Sequence, residues 1–251
     1  MNNMGLLRIA FAVTVIVSGL YASGQPMTKM KKIIIADGYF FSEMPVSQAL
    51  IEGMLLIETD SGTKAVGLKL TEPLPDAVLK YAVPKDSVPE ADTLLAQYCD
   101  NESKAIPITF TCEPLLKAGD KFPKFSATDI NGKKWTNKDV AGKVMVLNCW
   151  FTGCGPCRTE KPELSAWKVE MPDVMFFSST YEDAATARPV LENRSFTWTA
   201  LVNDKAFTKY IGSNGYPLTV VVGKDGIIRH IEYGTSLMQR DAIKAAIQAL
   251  R

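Results

Sequence analysis

Apolar positions recur along the chain in short runs separated by turn residues, and the runs change period twice. Residues 53–59 and 64–70 flank the turn cluster Asp60-Ser61-Gly62 and read as a β-hairpin. A strand over 32–36 precedes it. After the breakers Pro73 and Pro75 the pattern predicts a strand at 77–83, a short helix at 91–99 and a strand at 106–112. Beyond residue 117, segments 125–129 and 133–136 flank Ile130-Asn131-Gly132 and read as a second hairpin. The apolar run Val144-Met145-Val146-Leu147 lies in a buried strand over 143–150, which opens into a helix from Cys157 to about Val169. Strands at 174–178 and 198–202 alternate with a helix at 182–193 and a helical turn at 205–211. Strands at 218–222 and 227–232 flank Gly223-Lys224-Asp225-Gly226, and 236–250 places Leu237, Ile243, Ala246, Ile247 and Leu250 on one helical face. This order predicts an α/β fold for residues 118–251, a mixed sheet with helices on both faces, preceded by a small α+β domain over 25–117.

The first residues follow a different rule. Arg8 precedes an apolar stretch over 9–20, and Ala22-Ser23-Gly24 supplies small residues before Gln25, the pattern of a cleaved export signal over 1–24. The stretch is short for a membrane span, with retention as an uncleaved anchor the alternative. Export places the protein in the cell envelope or periplasm, where disulfides persist.

Composition narrows the function classes. The 251 residues are 47% apolar and 22% charged with a formal net charge of +1, an ordinary globular balance without an electrostatic bias toward nucleic acid. Residues 25–117 hold 9 Lys/Arg against 13 Asp/Glu, and 118–251 hold 18 against 14, an asymmetry suited to docking the halves on each other. The five cysteines carry more information. Cys99 and Cys112 bracket a short loop and form either a disulfide or two free thiols. Cys149 lies within the buried strand and reads as a small apolar filler.

Cys154-Gly155-Pro156-Cys157 stands at the junction of strand and helix. With Cys154 at a helix N-cap, backbone N–H groups and the helix dipole stabilise its thiolate, the attacking form. Cys157, one turn on, is placed to resolve a mixed disulfide. Zinc would need a second pair or histidines, and His230 is the single histidine, so neither metal nor cofactor is expected.

These residues resemble the thioredoxin superfamily, and within it the exported TlpA/ResA-like thiol-disulfide oxidoreductases, over about residues 118–251. The lead-in Gly119-Asp120-Lys121-Phe122-Pro123 with Asp129-Ile130-Asn131-Gly132 is similar to that family's N-terminal extension. Leu147-Asn148-Cys149-Trp150 resembles its strand end, and Glu160 with Pro162 falls at its Glu-x-Pro. Gly215-Tyr216-Pro217 resembles the loop whose proline is cis and faces the dithiol. The resemblance implies catalytic roles for Cys154, Cys157, Glu160 as a proton relay, and Pro217. It also implies substrate contact at Trp150, Gly153 and Tyr216, with Phe151 as a further rim residue. Asn148 stands where cytosolic thioredoxins carry a buried acid, which leaves Glu160 as the proton acceptor. Gly153 stands where many relatives have tryptophan, which leaves the sulfur more open.

The expected activity is exchange of the Cys154–Cys157 dithiol with disulfides of protein substrates, as a reductant fed by a membrane-linked electron donor. Two alternatives remain at this stage. A thiol-dependent peroxidase is one, although Thr152 is displaced from the position such sites need. A binding module with a static disulfide is the other.

Overall fold

The computed structural model describes residues 32–109 and 114–251, so the expected signal segment and Cys112 lie outside the described residues. Residues 32–251 form one compact unit built on two sheets.

The first sheet contains β1 (Ile34–Ala36), β2 (Tyr39–Phe41), β3 (Ile51–Glu58), β4 (Lys64–Leu70) and β5 (Ile106–Pro107), in the order β2-β1-β4-β3-β5. In the hairpin β3/β4, β3 alternates, with Ile51, Gly53, Leu55 and Ile57 buried and Glu52, Leu56 and Glu58 exposed, whereas in β4 residues 65–68 are buried throughout. Two apolar clusters form around this sheet, one containing Ile34, Val66 and Leu68 and the other Ile35, Leu55 and Ile57. The expected strand at 77–83 is instead the short helix α1 (Asp76–Leu79), with Val83 making a single bridge to Phe40. Pro75 occupies the N-cap and Asp76 the first turn, and a proline at a helix start outweighs a short apolar run compatible with either period. Helix α2 (Ala91–Asn101) turns Ala91, Leu94 and Tyr98 inward. β5 lies at the sheet edge, where Pro107, which has no N–H for a ladder, is tolerated; the Ile108 N–H still donates to the Glu52 carbonyl at 2.9 Å, and residues 110–112 of the strand expected over 106–112 lie outside the described residues.

The second sheet has seven strands in the order β12-β11-β8-β9-β10-β6-β7. Its elements in chain order are β6 (Ser126–Asp129), β7 (Lys134–Thr136), α3 (Asn137–Val140), β8 (Met145–Cys149), α4 (Gly155–Glu170), β9 (Met175–Ser179), α5 (Ala184–Asn193), β10 (Thr199–Val202), β11 (Leu218–Val222), β12 (Ile228–Tyr233) and α6 (Leu237–Gln248). Strands β8, β9 and β10 are parallel, and β11, β12, β6 and β7 complete an antiparallel rim on either side. This is a thioredoxin-like mixed sheet. Every residue of β8 is buried, as expected of a central strand covered on both faces. Met145, Leu147 and Cys149 enter one apolar cluster, whereas Val144 and Val146 enter the other beside Leu164 and Trp167 of α4.

Helix α6 also reaches the first sheet. Leu237 and Met238 pack on its core, their backbone N–H groups donate to the carbonyls of Met44 and Pro45 at 2.9 and 3.2 Å, and the Tyr81 hydroxyl donates to Asp241 at 2.6 Å. Among the described residues no helix is long and apolar enough to cross a membrane.

Candidate active site

The end of β8 delivers the chain to the N-terminus of α4, where Cys154 is the N-cap and forms a disulfide with Cys157. The Cys157 backbone N–H donates to Cys154 Sγ at 3.2 Å. Gly155 and Pro156 occupy the first helical turn, where proline's missing N–H is no loss. A helix N-terminus with a donor aimed at the sulfur favours a thiolate once the disulfide opens. Cys157 is fully buried and Cys154 nearly so, which leaves Cys154 as the more accessible sulfur.

Antiparallel pairing of β11 with β8 sets Leu218 opposite Cys149 and Thr219 opposite Asn148. It therefore brings the preceding Tyr216–Pro217 peptide, which is cis, to the end of the strand from which the cysteines depart. Glu182 fastens the active-site turn from the other side, accepting from the Thr152 N–H at 2.7 Å and the Thr152 hydroxyl at 2.6 Å.

Behind the disulfide lies a buried polar group. Glu160 is 3% exposed, so this helix carboxylate faces the interior. Asn148 Nδ2 donates to Glu160 Oε1 at 3.0 Å and to Thr219 Oγ1 at 3.1 Å. Burial pushes the Glu160 carboxyl upward, opposed by hydrogen bonds from Thr235 and Asn148 and by the charges of Lys161 and Arg240. A carboxyl with increased proton affinity is suited to accept a proton from a thiol. Asn148 positions this carboxylate and is not itself a base. Burial of Cys149 pushes its thiol up, in keeping with its reading as a filler.

The family model for Redoxin matches residues 117–247. The chain belongs to the Redoxin family. Within curated proteins, this Redoxin chain is 28% identical over 125 residues to the thioredoxin-like protein YneN of Bacillus subtilis, covering 48% of the chain and 74% of the relative. It is 29% identical over 128 residues to the thiol-disulfide oxidoreductase ResA of Bacillus thuringiensis, covering 49% and 74%. It is 30% identical over 122 residues to the thiol:disulfide interchange protein DsbE of Pseudomonas aeruginosa, covering 47% and 67%. Among solved structures, the solution structure of a candidate protein disulfide isomerase from Bacteroides thetaiotaomicron superposes with a TM-score of 0.51 at 18% identity, covering 55% of this chain and 91% of that one. The last likeness concerns the fold alone. A Redoxin domain carrying a Cys-x-x-Cys disulfide at a helix N-terminus is an oxidoreductase.

The remaining residues singled out in the sequence divide in this Redoxin site. Tyr216 is half-buried and in edge contact with Phe151, their centroids 5.0 Å apart, and burial lifts its phenol to about 12. Tyr181, which the sequence did not single out, is 52% exposed and stacks on Phe151 at 6.2 Å. Together the three rings form an aromatic patch beside Cys154. Gly153 is exposed, but a Cβ there would come within 2.7 Å of the Phe151 ring. The space expected to stay open is thus occupied by Phe151. Trp150 is fully buried, so it supports the site from within and is not part of the exposed rim. Cys99 is a free, exposed cysteine, and its proposed partner Cys112 lies outside the described residues. Among the described residues no cluster of three or more His, Cys, Asp or Glu is arranged to hold a metal.

Proposed function

We propose that the chain is an exported thiol-disulfide oxidoreductase whose Cys154–Cys157 dithiol reduces disulfides in protein substrates and is re-reduced by a membrane-linked electron donor. The observation that carries this reading is the pairing of an N-capping Cys154 with a buried carboxyl one turn beyond Cys157. Cys154 attacks the substrate disulfide as a thiolate. Cys157 loses its proton to Glu160 and attacks Cys154, releasing the reduced substrate and leaving the disulfide. Pro217 and the backbone of Tyr216 offer an edge for an extended peptide, with Phe151 and Tyr181 as an aromatic border.

Relatives named as thiol-disulfide oxidoreductase and thiol:disulfide interchange protein support the exchange chemistry. Export and an envelope or periplasmic location rest on the signal-like pattern over 1–24. We divide the mature chain near residue 117, with the N-terminal half serving as a docking platform for partners.

Equilibration of the mature protein in glutathione buffers tests the reading. A reversible two-electron couple near the thioredoxin value of about −270 mV is expected. A value near the DsbA end, about −120 mV, would reverse the proposed direction, and absence of a couple would leave a static disulfide. A Cys157→Ala variant should hold its substrate in a persistent mixed disulfide through Cys154.

A further inference from the structure

Lysine side chains normally lay an aliphatic stem along apolar surface and keep the ammonium in water. Lys161 does not, since it is 0% exposed. Its Nζ lies 3.7 Å from the centroid of the Trp150 ring and 4.2 Å from that of Phe196. Among the described residues it has no hydrogen-bond acceptor. Trp150 belongs to the buried cluster that contains Cys154 and Cys157, and Phe196 packs against that cluster. Lys161 follows Cys157 by four positions in α4, so the two share a helix face with Cβ atoms about 5–6 Å apart.

Two ionisable groups, Glu160 and Lys161, are therefore buried in the turn directly after the resolving cysteine. The segments that cover Lys161 present aromatic faces to it; burial pushes its amine down to about 7, and the charge of Glu160 on its own helix opposes that and favours the ammonium. Glu160 in turn faces Asn148 from β8, Thr235 from the loop before α6, and Arg240 from α6. A negative charge in this apolar surrounding needs a nearby cation; otherwise carboxyl and thiol both stay protonated, leaving no base and no nucleophile.

We propose that Lys161 is a positioning residue for disulfide exchange, the buried counter-cation for a single negative charge that moves between Glu160 and Cys157. This rests on the exchange reading given above. In the resolving step the Cys157 thiol gives its proton to the Glu160 carboxylate, and the charge passes to Cys157 Sγ. That sulfur forms a bond to Cys154 Sγ as the bond from Cys154 Sγ to the substrate sulfur breaks. The electron pair leaves with the substrate sulfur, which takes a proton from water. The substrate is reduced by two electrons and the dithiol is oxidised by two. Lys161 balances the one negative charge before and after the proton moves, while the Arg240 guanidinium, shared with Glu43 and Glu163, acts on Glu160 from α6; the π faces of Trp150 and Phe196 hold the Lys161 charge where no oxygen does.

The test is the pH profile of the resolving step in Lys161→Met, a substitution of similar length and shape, followed by rapid mixing of the reduced full chain with a small disulfide. The profile should move about one pH unit upward, a rate loss of about tenfold at neutral pH that is regained in alkali. A packing role would lower the rate at every pH without moving the profile, and that result overturns the proposal. A second measurement needs no substitution at Lys161: the 13C shift of Lys161 Cε in the unaltered protein should change when the disulfide is reduced, and an unchanged signal is equally fatal. If the unaltered protein performs no exchange, the functional reading itself fails. If it exchanges normally while Lys161→Met leaves the profile in place, only the role of Lys161 falls.

Discussion

The two sheets of this protein bury different kinds of side chain. Among the described residues of the N-terminal sheet and its helices, Thr59 is the one buried polar or charged side chain, whereas the second half buries Asn148, Glu160, Lys161, Asp204, Thr219 and Arg240 among others. The first sheet is held by apolar burial. The second carries groups whose desolvation costs several kcal/mol each unless they are partnered. Such groups persist where chemistry uses them: Asn148, Glu160 and Thr219 form one hydrogen-bonded group, and Lys161 and Arg240 act on Glu160, whereas Asp204 binds Ser179 and the backbone of residues 206–208. The contrast separates a half that is built to be stable from a half that gives up some stability for reactivity.

One substitution in each half gives the sharpest break. Cys154→Ser should reduce disulfide exchange at least about a thousandfold, measured as reduction of a protein disulfide, because it removes the nucleophile. Leu94→Ala, in the core of the first sheet, should instead cost about 2–5 kcal/mol of stability in urea and leave turnover per folded molecule unchanged. Loss of exchange in the folded Leu94→Ala protein would erase the division.

Glu160→Gln tests the buried group itself. Removal of the proton acceptor should slow the resolving step about a hundredfold. It should also alter stability with a definite sign. The folded carboxyl lies above its ordinary value of 4.5, so its contribution to stability is complete below that pH and is lost as pH rises through the raised value. Denaturant midpoints should therefore fall across that window in the parent protein and fall less in Glu160→Gln.

Arg240 joins the two halves. It donates to Glu163 of α4 at 2.6 Å and to Glu43 at 2.8 Å, and its side chain is 4% exposed against 37% for Glu43 and 44% for Glu163. Arg240→Met should cost about 2 kcal/mol, less than loss of a wholly buried pair, because both carboxylates can rehydrate. The smallest effect is expected at the rim. Tyr181→Ala should raise KM for protein disulfides about threefold and leave exchange with glutathione unchanged.

Much of the second half was legible in the chain because its signals are local. The strand–turn–helix around Cys154, the N-cap position and the hairpins depend on residues within a few positions of one another. The first half was harder to read: Pro75 starts a helix where an apolar run suggested a strand, and β2, a three-residue strand, gives too short a pattern to stand out. In the site, Glu160 is named by the family resemblance, whereas Lys161 beside it is not singled out. Tyr181, Glu182 and Arg240 carry no local motif, since each of these contacts reaches a residue at least 30 positions away.

The sequence by itself determined the disulfide, its helix and the order along the chain of the strands in the second sheet, because each follows from neighbouring residues and from periodicity. Tertiary structure alone decided which charges are buried and what surrounds them. Trp150 became interior support, Phe151 filled the space beside Gly153, and Lys161 was enclosed by two rings, one from each side of the intervening α4–β9–α5 segment. The physical reason is that desolvation depends on every element that closes over a group. That sum over distant parts of the chain sets the proton affinities on which the site depends.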